Sequence, residues 1–243
     1  MKYLCDPHII PTVVPQDLAA IQSAAAQHSA YAGWLHMDIA DGRFAPNITW
    51  PFLNPYQIEE LETLDLKAVI HASISLEAHL MTETPAELGA KLAKAGVSRV
   101  IAHIEAFTDG DHAREAMHVW RSGAIEVGLA IQIETPLSAL ESVASECDVI
   151  HVMSISEIGK QGYAFDERAL SRVEELHAKY PDMMVAVDGG VSESTVEELV
   201  RAGANRLMVG HVLAESGKPE VTYANILERA MRGCAPLASE VTV

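Results

Sequence analysis

The chain has 243 residues, is 49% hydrophobic and 21% charged, and sets 17 Lys and Arg against 34 Asp and Glu for a formal charge of −17. That length suits one domain with a large core, near the size of a (β/α)8 barrel. The acidic field repels polyanions, which argues against nucleic acid or anionic membrane as partners. An anionic small molecule is still admitted, because local backbone amides outweigh a distant field.

From the amino end, Met1–Pro7 carries no apolar run of the kind a secretory leader needs, and no later stretch is long and apolar enough to span a bilayer. The three cysteines, Cys5, Cys147 and Cys234, form no closely spaced pair and are odd in number. That pattern predicts reduced thiols and a cytoplasmic location.

Apolar strand-like runs follow at 8–14, 34–39, 74–80, 99–104, 125–131, 149–154, 183–187 and 206–209. Amphipathic helical patterns lie between them, among them 15–29, 85–95, 166–179 and 194–202. Gly96, Gly123 and Gly203 stand where helix-ending glycines stand, and Ser194-Thr195-Val196-Glu197 has capping-box spacing. Eight alternations of strand and helix predict a parallel sheet. An open doubly wound sheet has the same alternation. The closed barrel is preferred because polar candidates fall at the ends of several different strands, as barrel sites are assembled. No linker or charge run marks a second domain, so residues 1–243 are read as a single α/β barrel.

The second run, Leu35-His36-Met37-Asp38-Ile39-Ala40-Asp41-Gly42, carries the chemistry. Strand alternation puts His36 and Asp38 on one face and Leu35, Met37 and Ile39 on the other. The third run offers Glu77 and His79 on the face opposite Ile74, Leu76 and Leu80, and the seventh ends in Asp188-Gly189-Gly190. Imidazoles and carboxylates converging at strand ends suit a divalent transition ion such as Zn, Fe or Mn. His103 and Glu105 share a face after the fourth run and are expected to brace the site, as are His151 and Asp41.

Residues 36–49, HMDIADGRFAPNIT, resemble the second-strand signature of the ribulose-phosphate 3-epimerases. Glu77-Ala78-His79-Leu80-Met81 is similar to that family's third-strand motif, with Glu in place of Asp. His103-Ile104-Glu105-Ala106, Val187-Asp188-Gly189-Gly190-Val191, Ala202-Gly203-Ala204-Asn205 and Val209-Gly210 match further segments, so the resemblance runs from about Ile10 to Ala214. It implies four metal ligands, His36, Asp38, His79 and Asp188. Asp38 and Asp188 would double as the two acid/bases that invert the carbon beside a ketone. It further implies substrate contacts from Thr12, Met81, Met153, Gly159, Lys160, Gln161 and Gly162, and a homo-oligomer, dimer or larger. Gly189, Gly190 and Gly210, with His211, would receive a phosphate.

The chain departs from the family's pattern in several places. Ala40 stands where the family has Met, and Gln132-Ile133 replaces Asn-Pro after the fifth strand. The segment Ser154–Phe165 loses a Pro-Gly pair and gains Glu157 and Lys160, and the last-strand Gly-Ser becomes Gly210-His211. The expected activity is therefore metal-dependent 3-epimerisation of a ketose phosphate, ribulose 5-phosphate to xylulose 5-phosphate first. A six- or four-carbon ketose phosphate is the runner-up, and a non-catalytic sugar-phosphate-binding barrel stands behind it. A decarboxylase or aldolase of related barrels ranks lower, since the lysine those enzymes carry beside the strand aspartates is missing here.

Overall fold

A computed structural model describes residues 5–159 and 162–234. Its strands are β1 (His8–Val13), β2 (Trp34–Ala40), β3 (Ser75–Met81), β4 (Arg99–His103), β5 (Glu126–Ile131), β6 (Val149–Met153), β7 (Met184–Asp188) and β8 (Arg206–Val209). The helices are α1 (Leu18–His28), α2 (Pro55–Glu60), α3 (Leu66–Ile70), α4 (Pro85–Ala95), α5 (Gly110–Arg121), α6 (Arg168–Lys179), α7 (Val196–Ala202), α8 (His211–Ala214) and α9 (Pro219–Gly233). All strand pairs are parallel and follow chain order. β8 returns to β1, so the sheet closes into a barrel with the helices outside. The closed barrel, rather than the open sheet, is the observed architecture.

Two-residue alternation decides what faces where. Leu35, Met37 and Ile39 of β2 and Leu76, Ala78 and Leu80 of β3 are buried in the outer core against the helices. Each large side chain among them contributes about 1.5–3 kcal/mol by leaving water. The opposite faces line the lumen, where Ile10, Ile101, Ala130, Val149, Ala186 and Met208 form one apolar cluster. A second, of Ala40, Ala45, Met81, Met153, Ile155 and Ile158, sits where strands give way to loops. Polar side chains occupy the remaining inward positions of β2, β3, β4 and β6.

Several local expectations need correction. Gly96 and Gly203 do end α4 and α7 in the left-handed region, at φ 103° and 118°. Gly123 does not: α5 closes at Ser122, Gly123 donates its N–H to Trp120 O, and Ala124 takes the positive φ of 56°. The capping box at Ser194 does not form either. Thr195 caps α7 without a side-chain bond to it, because its Oγ1 is turned back to accept from Ser192 N at 3.0 Å. Glu105 is not on a strand; β4 stops at His103 and Ile104–Ala106 is a 3-10 turn. Cys5 and Cys234 are joined in a disulfide across 229 residues, and Cys147 is the buried free thiol. The expectation of reduced thiols fails for that pair because α9 packs on β1, which brings the two ends of the described chain together.

Candidate active site

The register of β2 and β3 sets His36 beside Glu77 and Asp38 beside His79. All four are buried in the lumen. Asp38 Oδ1 lies 3.2 Å from His36 Nε2 and 3.1 Å from His79 Nδ1. Asp188 ends β7, and its Oδ2 stands 3.9 Å from His36 Nε2 and 3.7 Å from His79 Nδ1. The two carboxylates thus face the same pair of imidazole nitrogens. β2 and β7 are separated in the ring by β8 and β1, so the carboxylates approach from different sides.

Each of those imidazoles is oriented by a partner on its far nitrogen. His36 Nδ1 donates to Glu77 Oε1 at 2.5 Å, and Glu77 in turn accepts from the buried Arg99 guanidinium, which also binds Glu126 and lies 4.2 Å over the Trp34 ring. Glu77 is thus not a ligand; it holds His36 so that Nε2 faces the centre. His79 Nε2 lies 3.0 Å from His103 Nε2, and His103 Nδ1 lies 3.2 Å from Glu105 Oε2. Glu105 Oε1 accepts from Gln132 N at 2.8 Å, which anchors the series to the backbone. His103 and Glu105 brace His79 and leave its Nδ1 toward the centre. Such outer partners fix ligand geometry and raise ligand basicity.

The electrostatics follow from burial set against pairing. Burial alone would raise the Asp38 pKa, but hydrogen bonds and charge from His36 and His79 hold it well below the carboxylate range. Burial alone would lower that of His36, but Asp38 and Glu77 outweigh it and raise the imidazole well above its ordinary value. Glu77 is likewise held low, against its burial, by His36 and Arg99.

Sequence reasoning assigned His151 a bracing role only. In the structure it is fully buried on β6, stacked on the His36 ring at 5.3 Å and tilted against the His79 ring at 4.6 Å by ring centroids. Its Nε2 is 3.5 Å from Asp188 Oδ2, yet neither ring nitrogen has a hydrogen-bond partner. Burial lowers its pKa to about 4, so the ring is a neutral lone-pair donor near pH 7. Ligand atoms of His36, His79, His151 and Asp188 all lie within 4.8 Å of one another. Three imidazoles and a carboxylate, one imidazole with orphaned nitrogens, fit a divalent transition ion. The one signal available beforehand was the parity of His151 with the inward Met153.

Above this cluster opens a cavity of about 330 Å³. Asp38 and Asp188 line it, and so do Thr12, Met81, Met153, Gly159 and Gly162, together with Gly189, Gly190, Gly210 and His211. Lys160 and Gln161 lie outside the described residues. Gly189 and Gly190 take φ of 111° and 65°, which L side chains rarely adopt, and a Cβ on Gly190 would come within 2.7 Å of Phe165 N. Asp41 stays out of the cavity; its carboxylate accepts from the backbone N–H of Arg43, Phe44 and Glu83 and ties the β2 loop to the β3 loop. Glu157 accepts from Tyr163 Oη at 2.7 Å, and His211 pairs with Glu215 at 3.1 Å. Ser192, Ser194 and Thr195 also border the cavity, and nothing in the sequence motifs had singled them out for it.

The fold and this centre define a metal-capable (β/α)8 barrel with paired carboxylates at the mouth. Residues 8–214 match the profile of the ribulose-phosphate 3-epimerase family, and the chain belongs to that family. It is 29% identical over 225 residues to the ribulose-phosphate 3-epimerase of Schizosaccharomyces pombe, covering 92% of this chain and 94% of that one. It is 30% identical over 215 residues to a cytoplasmic isoform from Oryza sativa subsp. japonica, covering 87% and 89%. Among solved structures, KGPDC from Streptococcus mutans superposes with a TM-score of 0.69 at 13% identity, covering 95% of this chain and 99% of that one. A 3-hexulose-6-phosphate synthase gives 0.66 at 17%, covering 91% and 99%. At such identities the structural likeness speaks for the fold. No described helix is long and apolar enough to cross a membrane.

Proposed function

We propose that the chain interconverts ribulose 5-phosphate and xylulose 5-phosphate by inverting C3, with one bound Zn, Fe or Mn ion. The observation that carries this is the placement of Asp38 and Asp188. They are carboxylates from separated strands that face the same imidazole nitrogens and line the same cavity. His36, Asp38, His79 and Asp188 would hold the ion. When bound, it would supply positive charge against the oxyanion that develops on the ketone oxygen.

The residues perform the proton chemistry. One carboxylate takes the C3 proton, the electron pair flows toward the carbonyl to give an enediolate, and the other carboxylate returns a proton to the opposite face. A single base would return it to the face it left. Met81 and Met153, with Ile155 at the cavity wall, supply a polarizable apolar surround that keeps bulk water from the reacting carbon. Thr12, Gly159, Lys160, Gln161 and Gly162 are assigned to the sugar. Gly189, Gly190 and Gly210 offer backbone N–H groups for the phosphate, with His211 at its edge.

The rice cytoplasmic isoform supports a cytoplasmic location. A homo-oligomer is supported by the half-exposed Ile48 and Leu53 and the 70%-exposed Tyr56, all carried after β2.

Solvent deuterium incorporation at C3 of ribulose 5-phosphate, with and without a chelator, tests the reading. Incorporation and epimerisation should both vanish in Asp38→Asn and Asp188→Asn with the circular dichroism unchanged. Full turnover in either variant overturns the two-base assignment.

A further inference from the structure

We infer that His151 is a fifth donor to the metal centre, completing a set of three imidazoles and two carboxylates that favours zinc over manganese. This rests on the proposed metal site and goes past the four ligands that the family resemblance implies.

A fully buried imidazole whose two ring nitrogens make no hydrogen bond is rare, since each unmet polar group in an apolar interior costs free energy. The expected ligands His36 and His79 each carry a partner on the far nitrogen, Glu77 on one and His103 on the other. His151 has no such brace. Its Nε2 instead points to the side of the centre where Asp188 stands, 3.5 Å from Oδ2, and its ring lies against both other imidazoles. Register explains the placement. His151 is paired with Ala186 of β7, two residues before the Met153–Asp188 pair, so it occupies the inward position one step below Asp188. The small Ala186 leaves that space open.

The expected ligands and this group of four share His36, His79 and Asp188; Asp38 joins them through its contacts to the two imidazoles rather than through the group itself. Asp38 touches His36 Nε2 and His79 Nδ1 from one side. Asp188 and His151 meet the same nitrogens from the other. A cation at that point would give His151 Nε2 a direct partner in place of its distant 3.5 Å approach to Asp188 Oδ2. Adding an imidazole to a two-imidazole, two-carboxylate set raises nitrogen content. Nitrogen donors favour Zn over Mn more strongly than carboxylates do.

The test uses the intact protein labelled with 15N at histidine and loaded with zinc alone. Coordinated ring nitrogens shift characteristically in long-range 1H–15N spectra, so the imidazoles on the ion can be counted without any variant. Three is the expected count, with His151 assigned among them. His151→Leu should then weaken zinc by at least about tenfold, the loss that disturbing even an outer partner causes, while manganese affinity changes far less. Two coordinated imidazoles, or a His151→Leu protein that binds zinc as tightly as the wild type, overturns the fifth donor and leaves the four-ligand reading standing. A wild-type protein that takes up no ion sinks both.

Discussion

Removing the charge of Glu77 is the sharpest perturbation of this barrel. Glu77 and Arg99 have side chains with no exposure, whereas the second carboxylate on Arg99, Glu126, is 44% exposed. Glu77→Gln keeps the shape and an acceptor for His36 Nδ1 but leaves a buried guanidinium with one half-solvated anion. Breaking one partner from a buried pair costs about 3–5 kcal/mol. Glu126 retains part of the interaction, so a loss of about 3 kcal/mol is expected, or roughly 6–12 °C in Tm for a chain of this length. Because Glu77 also orients a ligand imidazole, ion affinity should fall by about 10–100-fold. Differential scanning calorimetry of the chelated protein and zinc competition titration measure the two effects separately. Replacing the pair, Glu77→Gln with Arg99→Met, should recover much of the stability but not the ion affinity. An unchanged Tm in Glu77→Gln, or affinity lost only in step with stability, would rule out this account of the Glu77–Arg99 pair.

Two further outcomes follow from the same geometry. His151 is held to about 4 by burial against an ordinary 6.5. The unfolded chain therefore takes a proton that the folded chain refuses, so this contribution is complete above pH 6.5 and is lost as pH falls toward 4. The shift corresponds to about 3 kcal/mol. Urea melts of the chelated protein between pH 7 and pH 4.5 should show a flatter profile in His151→Leu, and parallel profiles would contradict it. His36, raised by its carboxylates, works in the opposite sense: its contribution is full below pH 6.5 and fades as pH rises through its folded value. The Cys5–Cys234 bond closes a loop of 229 residues, which by loop-closure entropy is worth roughly 5 kcal/mol. Cys234→Ser should lower Tm by roughly 10–20 °C. Titration of unreduced, denatured protein should find the Cys147 thiol alone, and three thiols would refute the bridge.

The centre of this protein was legible one strand at a time. Period-two alternation in 34–40 and 75–81 fixed which side chains share a face, so His36, Asp38 and His79 could be assigned inward before any coordinates. The eight strands also fell within a residue of their observed ends, because long apolar runs bounded by glycine and charge leave little choice of period. The capping box at Ser194 failed for a local reason: the helix starts one residue later, with Thr195 as its N-cap, and the Ser194 hydroxyl pairs with Ser192 Oγ at 2.8 Å instead.

Side-chain direction is a property of the strand, so the order of residues alone set which of them face inward on each stave of the barrel. Which inward residues meet depended on the stagger between strands and on ring closure. That is why Glu77 came to serve His36 and Arg99 rather than an ion, why His151 came to lie beside Asp188, and why Cys5 found Cys234. Those contacts join groups far apart in the chain, and only the closing of β8 onto β1, driven by burial of the outer core, sets their distances.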